Sequence, residues 1–126
     1  MDGGKGSGDT VMKTIIAGSR TFTDVGFVMD CIYECPWVNK ITEVVSGGAG
    51  GVDSIGEEWA NIVQVKLRIF EANWNKYGKN AGPIRNREMA EYADSLILIW
   101  SGESKGSFNM KSNAEKRGLP IYEVIR

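Results

Sequence analysis

Five consecutive apolar residues, Leu96-Ile97-Leu98-Ile99-Trp100, leave a strand with no polar face. Such a strand has to be covered on both sides, as a central strand of a parallel sheet is. The rest of the chain agrees by alternating strand and helix patterns. Thr14-Ile15-Ile16-Ala17 is an apolar run stopped by Gly18, and residues 41–45 form a second, stopped by Gly47-Gly48. Val65, Leu67 and Ile69 alternate with Lys66 and Arg68 as in a half-exposed strand, and residues 121–125 close the sheet. Between these runs, Val25, Val28, Met29 and Ile32 recur at helical spacing behind Asp24 as N-cap, with Pro36 marking the end. Ile55, Trp59, Ile62 and Val63 make another apolar helical face, where Ser54 and Glu57 have capping-box spacing. A third helix starts with Pro83 in its first turn and runs to about residue 93. A fourth spans about 107–117, with Gly118 at C′ and Pro120 after it. The pattern predicts one α/β domain, a mostly parallel sheet of about five strands with helices on both faces.

Residues 1–12, MDGGKGSGDTVM, lack apolar periodicity and follow no strand, so their Gly-Lys-Gly piece does not read as a Walker phosphate loop. They are expected to be a disordered tail or a remnant of expression, leaving 13–126 as the domain. Residues 71–82 read as a long polar loop carrying Trp74 and Tyr77.

The chain contains no histidine, which removes Ser-His-Asp and Cys-His triads, His-ligated zinc and a histidine base. Catalysis here would rest on carboxylates, Arg, Lys, Ser, Tyr or Cys. Cys31 and Cys35, four apart in a helical stretch, are too few for a metal site and read as small core residues. With no apolar stretch of membrane-spanning length and no signal peptide, a reducing, cytoplasmic setting is expected. Fifteen Lys and Arg against sixteen Asp and Glu give a net charge of −1, which argues against generic nucleic-acid binding.

Three glycine-containing loops follow apolar strands and lead into helices: 18–20, 46–53 and 101–107. In a parallel α/β sheet they fall at one edge, where ligands bind. Glycine lets a ligand approach main-chain N–H groups, and a helix start adds unpaired N–H groups and a positive dipole end, which favour an anion. The candidate ligand-binding residues of the first two loops are Gly18, Ser19 and Arg20, then Gly47, Gly48, Gly50, Gly51 and Asp53. The third loop supplies Gly102, Gly106 and Ser107. Arg20 reads either as a bidentate phosphate clamp or as a solvated surface arginine. Asp53 reads as a ribose contact or as a plain N-cap, and Ser107 as an N-cap whose neighbouring N–H groups face a phosphate. Arg85 and Arg87 lie near a positive helix end, flanking Asn86, a placement that is costly without an anion unless Glu88 pairs with them. Trp74 and Tyr77 either stack on a base or anchor their loop.

These residues resemble the SLOG superfamily of Rossmann-like domains and, within it, the YspA-type, cpYpsA-related family. The resemblance covers residues 13–126. It rests on Ile16-Ala17-Gly18-Ser19-Arg20-Thr21-Phe22, on Val45-Ser46-Gly47-Gly48-Ala49 with Gly51 and Asp53, and on Trp74 with Lys76-Tyr77-Gly78-Lys79. It continues through Ala81-Gly82-Pro83-Ile84-Arg85-Asn86, Met89, Ala93-Asp94 and the loop from Trp100 to Gly106-Ser107. It implies a Rossmann-like fold and a nucleotide or nucleotide-derived ligand, in a sensor or a processing enzyme. The family often has arginine where Gly50 stands here. LOG-type relatives, which cleave the base–ribose bond of nucleoside monophosphates, place an arginine where Arg85 falls and a Gly-Thr-x-x-Glu segment where Gly106-Ser107 falls. In this chain Met110 stands in place of that glutamate, and bond cleavage through an oxocarbenium-like state normally uses a carboxylate.

The leading expectation is therefore a sensing or sequestering domain for a nucleotide-derived small molecule, with no metal. The alternative is a nucleotide hydrolase drawing on Arg85, Asp53, Glu57 or Glu103. A third, by similarity to the single-stranded-DNA-binding DprA proteins, is disfavoured by the neutral charge. A homo-oligomer stays open.

Overall fold

The computed structural model describes residues 11–126. Five strands make one all-parallel sheet: β1 (Lys13–Gly18), β2 (Glu43–Ser46), β3 (Lys66–Ile69), β4 (Ser95–Trp100) and β5 (Ile121–Ile125), in the order β3-β2-β1-β4-β5. The helices are α1 (Val25–Glu34), α2 (Val52–Val63), the single turn α3 (Trp74–Tyr77), α4 (Ala81–Tyr92) and α5 (Lys105–Lys116).

The two-residue period of the strands divides the core into two layers. Ile16, Val44, Ile97 and Ile99 face Val28, Ile32, Val52 and Trp59 of α1 and α2. Their sequence neighbours Ile15, Val45, Leu96 and Leu98 face Met89 of α4 and Met110 and Ala114 of α5. All six residues of β4 are buried, which is why its sequence carries no alternation. The doubly covered sheet expected from the 96–100 run is the sheet observed, a Rossmann-like arrangement. Cys31 and Cys35 are free and buried.

Local chemistry sets the helix starts, and two differ from expectation. Asp24 caps α1, accepting the Phe27 N–H at 3.1 Å. The N-cap of α2 is Gly51, not Asp53 or the Ser54 of a capping box, and it has no side-chain cap; Ser54 Oγ donates instead to the Ala49 carbonyl at 3.1 Å. There the chain turns with φ 67°, and a Cβ on Gly51 would sit 2.3 Å from the Ser19 carbonyl oxygen. The Val52 N–H donates to that same carbonyl, so the first loop does the capping that Asp53 would otherwise do. α5 is capped by Ser104, which accepts the Ser107 N–H at 3.3 Å, and Ser107 lies inside the helix. The stretch expected as loop over 71–82 contains α3 and a 3-10 turn (Gly78–Asn80) before α4 begins.

Of the expected tail, residues 1–10 lie outside the described ones. The Met12 N–H donates to Thr42 Oγ1 at 2.9 Å, tying the chain to the start of β2 before β1 begins. No helix among the described residues is long and apolar enough to cross a membrane.

Candidate functional site

β1 and β4 are adjacent, yet β1 leads to α1 on one face and β4 to α5 on the other. That reversal opens a crevice at their carboxyl ends, the place where open α/β sheets take ligands. A cavity of about 60 Å³ lies there. Gly18 and Arg20 come to it from the first loop, Gly47 and Asp53 from the second, Gly106 and Ser107 from the third. At the roughly 10–15 Å³ one water needs, it has room for about four to six waters, the scale of a phosphate group. An open cleft of about 380 Å³ adjoins it, sharing Arg20, Gly47, Ala49 and Arg85, and adds Gly48, Gly50 and Trp74.

Arg85 organises this floor. It comes from α4 and is partly buried. Its Nη1 donates to the Gly47 carbonyl, and its Nε donates to Asn86 Oδ1 at 2.9 Å. Asn86, itself buried, donates to Asn109 Oδ1 at 3.0 Å, which fixes its amide and so the guanidinium. The ion pairs of the described residues join Lys111 to Glu123 and Arg126 to Asp24, so neither Glu88 nor Asp53 neutralises Arg85 by direct pairing. Burial lowers the Arg85 pKa below its ordinary value, the Asp53 carboxylate opposes that, and Arg20 reinforces it. An arginine so held has room for an anion.

Two helix starts point at the same place. In α5, Ser104 Oγ takes the Ser107 N–H and the Ser104 carbonyl takes that of Phe108. The N–H groups of Lys105 and Gly106 then remain as the orphan donors of that first turn among the described residues. α2 begins beside them, with its first N–H already taken by Ser19.

Asp53 is the carboxylate inside the cavity. It is 6% exposed, and its Oδ2 accepts the Ala49 N–H at 3.2 Å. Burial pushes its pKa up from 3.8 to about 6, against the pull of the Ala49 N–H and of Arg85. Between about pH 4 and 6 the folded chain keeps this proton while the unfolded chain loses it, so stability falls as pH rises through that window. At about 1.4 kcal/mol per pH unit the cost above pH 6 is about 2 to 3 kcal/mol. Asp53→Asn keeps an acceptor for Ala49 and removes the charge. It is expected to stabilise the protein by about 2 kcal/mol at pH 7 and to flatten the profile. Urea unfolding at pH 4.5 and 7.5 checks this, and parallel pH slopes for parent and variant would refute it.

The remaining candidates divide. Ser19 is buried, its Oγ accepting the Ser101 N–H at 3.1 Å, so it stitches the first loop to the third. Gly51 serves the loop contact described above. Glu57 does not line the cavity and accepts from Ser46 Oγ at 2.6 Å, and Glu103 and Gly102 are exposed beyond it. Trp74, 52% exposed, lines the open cleft, whereas Tyr77 lines a separate depression beside Glu88. Met110, where LOG-type relatives carry glutamate, contributes an apolar wall together with Met89. Sequence reasoning missed Ser104 and Asn109. Asn109 lies three residues from Gly106 on the same helix face, a spacing that the sequence shows.

The sequence model described as the YspA, cpYpsA-related SLOG family matches residues 12–77, which hold the first two loops and Trp74. The chain belongs to this family. The Gene 61 protein of Mycobacterium phage D29 is 32% identical over 119 residues, covering 86% of this chain and 93% of that protein. Among solved structures, DNA processing protein A (DprA) from Streptococcus pneumoniae is similar with a TM-score of 0.72 at 21% identity. That likeness covers 90% of this chain and 50% of the DprA chain, so this SLOG domain spans half of that protein's length and shares its fold.

Proposed function

We propose that the crevice holds the phosphate of a nucleotide or nucleotide-derived small molecule, making the chain a sensing or sequestering domain. The observation that carries this reading is the Arg85 guanidinium. It is partly buried, held by Gly47 and Asn86 and without a direct carboxylate partner among the described residues, where three loops and the start of α5 converge. Phosphate is the anion such a fork and a set of backbone N–H groups suit best. The buried free cysteines and small-molecule ligand fit a reducing, cytoplasmic setting.

Asp53 favours a second reading, hydrolysis of the bound nucleotide. A carboxyl group with pKa about 6 that lines the cavity is poised to exchange a proton near neutrality. Incubation with nucleoside phosphates, cyclic nucleotides, NAD and ADP-ribose, followed by mass spectrometry of protein and supernatant, separates the two. Retention of an intact ligand supports the sensor. A released base or phosphate, abolished by Asp53→Asn, establishes the hydrolase. No retention and no product across the panel overturns both.

A further inference from the structure

Arg85 stands on α4 and the orphan N–H groups stand at the start of α5, so the two halves of the anion site are aligned by the joint between these helices. That joint carries a series of side-chain amides. The Arg85 Nε–H donates to Asn86 Oδ1 at 2.9 Å, and Asn86 Nδ2 donates to Asn109 Oδ1 at 3.0 Å. Asn113 Nδ2 donates to the same Asn109 oxygen at 3.2 Å and to the Asn109 carbonyl at 2.9 Å. Asn109 and Asn113 line neither the inner cavity nor the open cleft. We propose that Asn109 and Asn113 are positioning residues for the anion site: they set which way round the Asn86 amide lies, and through it they aim the Arg85 guanidinium without touching the phosphate. This rests on the phosphate-holding role given above to the crevice.

Polarity decides the orientation. The two ends of a carboxamide are alike in shape and opposite in hydrogen bonding, so its partners alone determine which way round it lies. A backbone carbonyl, in contrast, can only accept. The Asn109 carbonyl therefore requires the nitrogen end of Asn113, and that nitrogen in turn holds Asn109 Oδ1 toward it. Asn109 then offers an acceptor to α4, and Asn86 turns its nitrogen to α5. The Gly106 carbonyl, 3.4 Å from Asn86 Nδ2, favours the same orientation. The Asn86 oxygen is left for the Arg85 Nε–H, and the Gly47 carbonyl holds Nη1 at the other side of the guanidinium. A reversed Asn86 would set N–H against N–H at Arg85 and oxygen against oxygen at Asn109, leaving partly buried polar groups unpaired. The series thus runs from a carbonyl of α5 to a carbonyl of the second loop, with one permitted orientation for each amide.

Nitrogen-15 NMR reads the aim directly, and titration with inorganic phosphate reads its consequence. The Arg85 Nε–H resonance, assigned by its loss in Arg85→Lys, is expected to be resolved and protected from exchange with water in the parent protein. Asn109→Leu keeps the size of the side chain and suits a helix, but it removes the acceptor. It should cost the Nε–H its protection and weaken phosphate binding about three- to tenfold, the worth of one neutral hydrogen bond. Two aspartates then separate polarity from charge. Asn109→Asp still accepts from both Asn86 and Asn113 and should keep the Nε–H protected. Asn113→Asp carries the same charge one turn away but sets oxygen against oxygen, so the protection should be lost. A role confined to stability would lower the melting temperature in these variants without that contrast. Equal effects of the two aspartates overturn the relay, as does a parent Nε–H that exchanges like that of an exposed arginine. Parental phosphate affinity in Asn109→Leu also overturns it, while the phosphate site stands. If the parent binds no phosphate, the phosphate-holding reading falls, and the contrast between the aspartates still decides whether Asn109 and Asn113 aim Arg85.

Discussion

Arg85→Ala is expected to weaken binding of any retained nucleotide about 30- to 150-fold, the equivalent of about 2 to 3 kcal/mol for a charge-assisted hydrogen-bonded contact. The effect is large because the guanidinium is partly desolvated before the ligand arrives and is held by Gly47 and Asn86, so little ordering remains to be done on binding. The fold should survive, since the lost bonds join loop and helix at the cleft rather than strands in the core. Removing the side chain leaves the Gly47 carbonyl without its partner and costs about 1 kcal/mol of stability. Arg85→Lys separates charge from geometry. Lysine restores a point charge but not the fork, so it should recover part of the affinity and no more. If Arg85 only braces the second loop against α4, Arg85→Ala lowers the melting temperature and leaves ligand affinity unchanged. Calorimetry and thermal unfolding on the same samples distinguish these outcomes.

How far the sequence led can be judged at particular residues. The strand 96–100 was legible because burial on both faces leaves a continuous apolar run, which few other environments tolerate. The convergence of the three loops followed from the same step, since parallel strands put all their carboxyl ends at one edge. Asp53 was not legible. Its reading as an N-cap depended on where α2 begins, and that is set by the Val52 N–H reaching the Ser19 carbonyl, a contact between distant segments. Ser104 and Ser107 differ by one helical turn, and either could cap; the structure chose Ser104. α3 is four residues long, too short for periodicity to show, so 71–82 read as loop. A recess of about 210 Å³ beside Trp74, lined by Gly82 and Pro83 of α4 and by Lys105 and Asn109 of α5, was invisible for another reason. It lies between two helices on different segments, and no local pattern encodes the gap between them.

Gly18→Ala is expected to cost about 4 kcal/mol of stability, at the upper end for overpacking, and to lower the melting temperature by roughly 15 °C. A Cβ there would lie 1.8 Å from the Ile99 carbonyl oxygen and 2.7 Å from its carbon. That carbonyl cannot move away, because it accepts the Ser19 N–H at 3.1 Å and Gly18 is paired in register with Ile99. Relief requires the two central strands to separate at the crevice. The control is Gly50→Ala, whose Cβ would find nothing closer than the Arg20 carbonyl oxygen at 3.9 Å and should change stability by less than about 0.5 kcal/mol. Thermal unfolding of both variants checks the contrast, and a Gly18→Ala protein that melts with the parent would refute the close approach of β1 and β4. The contrast also bears on how glycines in such loops are read for function. Gly18 lines the cavity, but its neighbouring strand already demands glycine, so the residue alone says nothing of a ligand. Gly47 is different. A Cβ there would meet Arg85 Nη1 at 2.8 Å, so its glycine makes room for the group that would hold the phosphate. Gly47→Ala should therefore displace the guanidinium and lower nucleotide affinity at a stability cost well below that of Gly18→Ala.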